Sequence, residues 1–289
     1  MKKTTTVVLL AAAAIWSTPA VLANHPVLVE GNCDSPVPGT TVVTAGTCGD
    51  FDGDGRIGTA EDTDGVDRIF GTIQAAIGPG TGGASGTGAN FNGTVTIVSS
   101  GRFAEIINIV TPSGGALTLE AAPGVRATID AVLQGDPGGG NGIRQAATGI
   151  TIDTTAASKV VLRNLVVRNF AEGVRAVSNA RVFVENCQIE HNLNYGLRAT
   201  ADSRMHITGS SILSTGFRVP VTGPATPGVG ISYEGNARGA VVKSSMVGNF
   251  STGLSNTSSG GGAAVIFYEL MFGDNGGGAF AGPVTRYEF

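Results

Sequence analysis

Residues 50–61 carry acidic side chains at a spacing that suits a hard divalent cation. Carboxylates stand at positions 1, 3, 5 and 12 of this twelve-residue segment, and Gly55 at position 6 permits a sharp turn. Oxygen donors in this pattern, with a backbone carbonyl at position 7, converge on Ca²⁺, and the last carboxylate binds through both oxygens. The sequence therefore predicts a structural calcium site formed by Asp50, Asp52, Asp54, Arg56 and Glu61.

The placement of charge supports a local cation site. Residues 24–67 contain nine acidic residues against Arg56 alone, whereas residues 68–289 contain 15 basic and 13 acidic residues. Carboxylates packed this closely repel one another unless a cation neutralises them, although a solvated acidic turn without metal is the alternative. Neither part has the basic excess of a nucleic-acid binder, and 14% charged residues exclude a charge-driven disordered chain.

A second group of side chains suits an anionic or sugar ligand. Arg175 and Arg198 each follow a repeated glycine by two residues, and Glu172 and Tyr195 precede these arginines by three residues. Stacked like charges favour an anion between them, such as a uronate carboxylate or a sulfate, and Tyr195 offers its ring to a sugar. The alternative is that Glu172 and solvent satisfy both guanidinium groups.

These side chains belong to a repeat that begins near residue 159. Glycine followed by an apolar residue recurs with spacings of 23, 34, 23 and 25 residues, at Gly173, Gly196, Gly230, Gly253 and Gly278. The 34-residue interval contains an insertion, residues 217–227, whose prolines suit the wall of a groove and whose Arg218 is a further candidate ligand residue. A period near 23 residues is typical of a solenoid.

Each repeat is composed of short apolar strands with glycine and asparagine at the corners. No segment has a sustained helical stripe, and Val and Ile occupy positions where a leucine-rich repeat would need leucine. The pattern therefore predicts an all-β fold, a parallel β-helix of about eight turns in which like residues stack. The expected inward apolar column is Val167, Ile189, Ile212, Val247 and Phe272.

Stacking of the repeats also predicts polar contacts between turns. Arg163 aligns with Glu185, and Arg168 aligns with Glu190, as surface ion pairs worth under about 1 kcal/mol each. One corner of the coil is expected to carry a ladder of polar side chains: Asn169, His191, Ser214, Asn249 and Asp274.

The N-terminus predicts export. Residues 1–23 combine two lysines, an apolar run and small residues before a cleavage site, which is typical of a secretory signal peptide. No second hydrophobic span follows, so we expect no transmembrane segment after cleavage. In an exported chain Cys33 and Cys48 are expected to form a disulfide, whereas Cys187 is expected to be a small buried residue in a strand.

Two segments resemble known families. Residues 70–77 (FGTIQAAI) and 93–105 (GTVTIVSSGRFAE) resemble the opening of pectin-lyase-like proteins. The resemblance covers roughly residues 66–282 and implies a right-handed parallel β-helix over residues 66–289, whose end is covered by a short capping helix at residues 66–77. The predicted calcium loop resembles those of EF-hand and dockerin proteins, and it lies with the predicted disulfide in a separate N-terminal segment, residues 24–65.

Pectin-lyase-like enzymes act on acidic or neutral polysaccharides along one face of the coil, and an arginine is the base in some lyases of this fold. The catalytic motifs of polygalacturonases, pectin methylesterases and pectate lyases do not occur in the sequence. We therefore expect a monomeric protein, extracellular, periplasmic or on the cell surface, that binds polysaccharide or another cell-surface partner without catalysis. Two alternatives remain: a divergent polysaccharide lyase or glycoside hydrolase acting on uronate-containing glycans, and a structural or adhesive surface protein.

Overall fold

The structure is a computed structural model of the 289-residue chain. It describes residues 27–30, 69–70, 72–77, 93–110, 115–131, 144–154, 158–216, 228–259, 265–268 and 270–286. The predicted signal peptide, the predicted calcium ligands, Cys33, Cys48 and Arg218 all lie outside these residues. Within the described part of the chain, no helix is long and apolar enough to span a lipid bilayer.

Short strands dominate the described residues, and one short helix precedes the third strand. Where the segments between consecutive strands are fully described, they are corners of a few residues. The elements, in chain order, are β1 (Val27–Val29), β2 (Ile69–Phe70), α1 (Ile73–Ile77), β3 (Gly93–Ile97), β4 (Gly101–Phe103), β5 (Ile107–Ile109), β6 (Ala116–Ala121), β7 (Ala127–Asp130), β8 (Arg144–Thr154), β9 (Lys159–Arg163), β10 (Leu165–Arg168), β11 (Phe170–Ser178), β12 (Arg181–Glu185), β13 (Gln188–Glu190), β14 (Tyr195–Ala199), β15 (Arg204–Thr208), β16 (Ser211–Leu213), β17 (Val229–Gly235), β18 (Arg238–Val242), β19 (Ser245–Val247), β20 (Thr252–Ser258), β21 (Val265–Tyr268), β22 (Met271–Gly273), β23 (Gly278–Ala281) and β24 (Thr285–Arg286).

The strands form three parallel sheets, and each turn of the chain adds one strand to every sheet. The first sheet has the order β2-β1-β3-β6-β9-β12-β15-β18-β21-β24, the second has β4-β7-β10-β13-β16-β19-β22, and the third has β5-β8-β11-β14-β17-β20-β23. The two seven-stranded sheets give seven complete turns among the described residues, close to the eight expected. The predicted parallel β-helix is therefore confirmed.

Alternation within each strand separates the core from the outer faces. In β12, Val182 and Val184 are buried, whereas Arg181, Phe183 and Glu185 point outward. Side chains at positions i and i+2 of a strand share one face, so each three-residue to five-residue strand contributes one to three core residues. Stacked turns bury these residues in one continuous core along the coil axis.

A file of glycines lies near the start of four strands of the third sheet, β11, β14, β17 and β20. Gly173, Gly196, Gly230 and Gly253 lie on consecutive turns, as predicted, because their neighbours Val174, Leu197, Ile231 and Leu254 pair in register. A methyl group on Gly196 would lie 2.6 Å from the Gly230 carbonyl oxygen and 2.7 Å from Ile212 Cγ2. Glycine is therefore required here by the close approach of the next turn.

Two predicted columns are wrong by one residue at β19. Met246, not Val247, follows Ile212 and pairs with Phe272, and Met246 is fully buried. Gly248, not Asn249, therefore lies at the corner position and has the left-handed backbone conformation (φ 67°). On other turns this position is held by Asn169, His191, Ser214 and Asp274. A shift of one residue exchanges inward and outward side chains, and flexible methionine fills a column otherwise formed by branched residues.

Asn249 occupies the next position of that corner, where its side chain accepts a backbone hydrogen bond. Its side-chain oxygen accepts a hydrogen bond from the Thr215 backbone N–H at 3.1 Å. Asn192 accepts in the same way from Phe170, and Asn275 accepts from the backbone N–H of Asn249 itself. These asparagines replace missing strand partners at the corner, because buried backbone N–H groups require an acceptor.

At the N-terminal end, β1 lies between β2 and β3. The helix predicted over residues 66–77 is wrong in its first part, because Ile69–Phe70 forms β2, whose backbone pairs with β1. Helix α1 occupies only Ile73–Ile77, and the Glu105 carboxylate accepts hydrogen bonds from the Ile73 and Gln74 backbone N–H groups at 2.9 Å each. That this helix covers the end of the coil stays a prediction.

Candidate functional site

The predicted ligand residues come together on the outer face of the third sheet. Strand β11 carries Glu172 and Arg175, and strand β14 carries Tyr195 and Arg198. The register pairs Glu172 with Tyr195 and Arg175 with Arg198, so the predicted alignment of the two arginines is confirmed. The next strand, β17, adds Glu234, which the repeat pattern of the sequence does not identify.

Arg198 is held between two carboxylates. Its Nη1 donates to Glu172 Oε1 at 2.6 Å, and its Nε and Nη2 donate to the two Glu234 oxygens at 3.1 and 2.7 Å. Its guanidinium also lies 4.5 Å from the centre of the Tyr195 ring. Burial acts to lower the pKa of Arg198, but the hydrogen bonds from Glu234 and Glu172 outweigh burial and raise it. Because Arg198 is satisfied from both sides, no external anion is needed to separate the stacked arginines.

The structure leaves at most one face of the Tyr195 ring for the sugar contact expected of it. The Arg198 guanidinium covers one face of the ring, so that face is not open to a sugar. Burial raises the pKa of the Tyr195 hydroxyl, which keeps it neutral at ordinary pH. Tyr195 therefore supports the arginine, and its hydroxyl group interacts with Glu234.

Arg175 is the less constrained of the two arginines. Its Nε lies 3.8 Å from Glu172 Oε2, beyond hydrogen-bond distance, and neither atom has a hydrogen-bond partner within the described structure. Its side chain is 39% exposed, against 22% for Arg198. Arg175 therefore has donors that can reorient toward a ligand, whereas those of Arg198 are committed.

The Glu234 carboxylate is held in its ionised form. Burial acts to raise the pKa of Glu234, but hydrogen bonds from Arg198 and Ser232 outweigh it, and the pKa is lowered. A glycosidase needs one protonated carboxyl group to protonate the leaving oxygen. Glu234 accepts hydrogen bonds from a permanently charged guanidinium and suits recognition of polar groups better than general acid catalysis.

The same arrangement recurs on the other two sheets. On the first sheet Arg163 lies between Glu120 and Glu185, at 2.9 and 2.8 Å. On the second sheet Arg168 lies between Asp130 and Glu190, at 2.8 and 3.5 Å, and Asp130 also contacts Arg102 at 3.1 Å. The predicted pairs of Arg163 with Glu185 and of Arg168 with Glu190 are confirmed.

The second partner of each arginine was missed. Glu120 and Asp130 precede the regular repeat, so the period that aligned the later turns does not reach them. Glu234 lies two residues beyond the position opposite Arg198, which is Ser232. The signal that could have identified Glu234 is the length of the arginine side chain, which reaches a diagonal neighbour on the adjacent strand.

Histidine and cysteine side chains do not assemble a nucleophilic site in the described structure. His191 lies at a corner of the coil, with Nδ1 3.9 Å from Glu190 Oε2, whereas His206 stacks on Phe183 on the first sheet. Cys187 is free and buried, as expected, and burial raises the pKa of its thiol to about 11. Among the described residues, no group of three His, Cys, Asp or Glu side chains is placed to hold a metal ion.

Residues 124–268, half of the chain, match the family model for the right handed beta helix region. The chain belongs to the right-handed β-helix family. No curated protein and no solved structure matches it. Membership of the right-handed β-helix family fits a surface protein or a carbohydrate-related protein, and the matched residues contain Glu172, Arg175, Arg198 and Glu234.

Proposed function

We propose that this right-handed β-helix is an exported, monomeric protein that binds polysaccharide or another cell-surface partner without catalysis. The observation that carries the proposal is the charged cluster of Glu172, Arg175, Arg198 and Glu234 on the outer face of the third sheet. Glu172, Arg198 and Glu234 are already held by hydrogen bonds to one another, so they lose little conformational entropy when they bind a ligand. Sugar hydroxyls, which both donate and accept, suit such paired carboxylates and guanidinium groups.

The arrangement of charge favours binding over bond cleavage. Arg198 engages both Glu172 and Glu234, and the lowered pKa of Glu234 removes it as a proton donor near neutral pH. Arg175 retains donors for a ligand oxygen. The export signal, which rests on residues 1–23, would bring this face into contact with glycans outside the cytoplasm.

A calcium ion is the second part of the proposal. The carboxylates of Asp50, Asp52, Asp54 and Glu61 and the carbonyl of Arg56 are hard oxygen donors, which Ca²⁺ prefers. Bound calcium would neutralise these carboxylates and stabilise residues 24–65 together with the proposed disulfide between Cys33 and Cys48. Its role is structural, and no chemical step is assigned to it.

A glycan array probed with the mature protein tests the proposal. Wild-type protein should bind a defined subset of glycans, and Arg175→Gln should weaken binding about tenfold. Arg126→Gln removes an equal charge from another exposed position and should leave binding unchanged. Absence of binding to any glycan would overturn the proposal.

Two further measurements address the alternative functions. Release of unsaturated or reducing sugars from polysaccharides by the purified protein would replace the binding proposal with a lyase or hydrolase. Concentration-dependent elution on size exclusion would favour an adhesive or structural assembly over a monomer.

A further inference from the structure

Four basic residues form a single column on the outer face of the first sheet. The register pairs Lys159 with Arg181, Arg181 with Arg204, and Arg204 with Arg238. All four are exposed. Neighbouring turns lie about 4.8 Å apart, so this basic column presents one cation per turn in a straight file along the coil axis.

The basic column lacks the carboxylates that neutralise the other stacked arginines. Arg163, Arg168 and Arg198 each lie between two acidic side chains. By contrast, within the described part of the chain none of the four column residues forms an ion pair. Like charges on adjacent strands repel, so this column is the place where an added anion relieves unfavourable charge.

The side chains beside the basic column carry no negative charge that would offset it. The adjacent column on the same face contains Phe183 and His206, whose rings stack with centroids 5.2 Å apart, and Lys159 Nζ lies 4.7 Å from the Phe183 ring centre. Burial and then the charges of Arg181 and Arg204 lower the pKa of His206. His206 is therefore neutral near pH 7 and adds no charge to the face that carries the basic column.

The nearest acidic residue in sequence does not serve the column. Asp202 precedes Arg204 by two residues, and its Oδ1 accepts a hydrogen bond from Asn236 Nδ2 at 3.0 Å. Glu185, on the far side of the Phe183 column, is engaged by Arg163. Among the described residues, these four aligned cations thus have no acidic side chain paired with them.

We propose that Lys159, Arg181, Arg204 and Arg238 form a binding site for a linear anionic glycan lying along the coil axis, across the strands of the first sheet. A straight file of cations matches a polymer with regularly repeated carboxylates or sulfates better than it matches a membrane, which would engage a broad two-dimensional patch. Guanidinium groups bind such oxyanions through two parallel hydrogen bonds. This inference rests on the proposed glycan-binding function, and it assigns an anionic ligand to the first sheet instead of the third.

Matched charge variants test the site. Arg181→Gln/Arg204→Gln removes two charges from the column, and Arg126→Gln/Lys243→Gln removes two charges from other exposed positions. Binding of fluorescent polygalacturonate, dextran sulfate and methyl-esterified polygalacturonate is measured by anisotropy at several salt concentrations. We expect wild-type protein to bind the two anionic polymers, the column variant to bind about tenfold or more weakly, and the control to match wild type.

Circular dichroism and thermal unfolding of both variants establish that they remain folded, since each substitution is at an exposed position. Equal weakening in the column and control variants would overturn the site while leaving glycan binding in place. Binding of neutral glycans alone would likewise overturn the site and keep the proposed function. Preferential binding of single-stranded DNA or of anionic lipid vesicles would overturn the assignment of the ligand, and failure to bind any glycan would overturn both proposals.

Discussion

A guanidinium between two carboxylates on neighbouring turns is the repeated charge unit of this protein. Arginine has five N–H donors in a planar fork, so one side chain can serve an acceptor above it and another below it. Among the central arginines of the three units, Arg198 on the third sheet is the least exposed, at 22%. Arg163 on the first sheet is 40% exposed, so solvent weakens its ion pairs more strongly.

Arg198→Gln is expected to lower the free energy of unfolding by about 2 kcal/mol. The substitution leaves Glu172 and Glu234 without their shared cation, and partial exposure keeps the cost below the roughly 3–5 kcal/mol of a fully buried pair. Arg163→Gln, the control, should cost under about 1 kcal/mol. Urea denaturation measures both variants, and equal costs would contradict the importance of burial.

Acidification should remove the contribution of the Glu234 ion pair to the free energy of unfolding. Its pKa is lowered from 4.5 in the folded protein, so its ion pair contributes fully above that value and is lost as the pH falls through the lower, folded-state pKa. Between pH 7 and pH 3 the wild-type protein should therefore lose more stability than Glu234→Gln. Chemical denaturation across this range tests the sign, and parallel pH profiles for the two proteins would contradict it.

Counting reactive thiols tests the burial of Cys187 and the predicted disulfide between Cys33 and Cys48. Cys187 should not react with a thiol reagent at pH 8 in the native protein, because it is buried and its pKa is raised to about 11. After unfolding without reductant, one thiol per chain should react if Cys33 and Cys48 form the predicted disulfide. Three reactive thiols would refute the disulfide, and rapid labelling of the native protein would refute the burial of Cys187.

At the scale of the elements, the glycine file sets how closely successive turns approach. Gly196→Ala would place a methyl group 2.6 Å from a backbone oxygen of the next turn, which cannot move without breaking strand pairing. We expect a loss of about 1–3 kcal/mol in unfolding free energy, as for other overpacked sites. Gly273→Ala is the control, since its methyl group would make ordinary contacts of 3.5 and 3.7 Å. Thermal and urea unfolding compare the two, and a tolerated Gly196→Ala would show that the turns can separate.

The sequence was sufficient for the repeat but not for every position within it. The 23-residue period predicts the correct alignment of the glycines and of the arginine–glutamate pairs between turns. The close approach of neighbouring backbones and the pairing of opposite charges restrict these positions to few residue types. At β19 the sequence gives the wrong residue for the apolar column, because both Met246 and Val247 are apolar. Only the observed strand pairing shows that Met246 is the inward residue. Ile69 and Phe70 fitted an amphipathic helix, yet they form a strand because β1, some 40 residues earlier in the chain, offers its backbone as a partner.

At the scale of the molecule, the described turns form a stack in which each turn contacts mainly its neighbours, so stability accumulates from one turn to the next. A ligand or ion attached at one end therefore stabilises the adjoining turns first. The proposed calcium loop, residues 50–61, lies in sequence between β1 and β2, both of which belong to the first sheet. Calcium is thus expected to act on the N-terminal end of the stack.

Calcium removal is the corresponding prediction. At a calcium concentration 100 times the dissociation constant, binding should add about 2.7 kcal/mol to the stability of the segment that it orders. Calorimetric unfolding with calcium and with chelator should differ for wild-type protein and should coincide for Asp52→Ala/Asp54→Ala. Isothermal titration should show binding heat for wild type only, and equal heats in both proteins would eliminate the site.

The position of β1 has a consequence for how the chain acquires its structure. Val27–Val29 leaves the ribosome before either neighbour in its sheet, because Ile69–Phe70 follows about 40 residues later and Gly93–Ile97 later still. This strand has no backbone partner until Ile69–Phe70 has emerged and lacks its second partner until Gly93–Ile97 follows, whereas each later turn can pair directly with the turn before it. Assembly should therefore nucleate in the middle of the chain, with the first-synthesised strand among the last to dock.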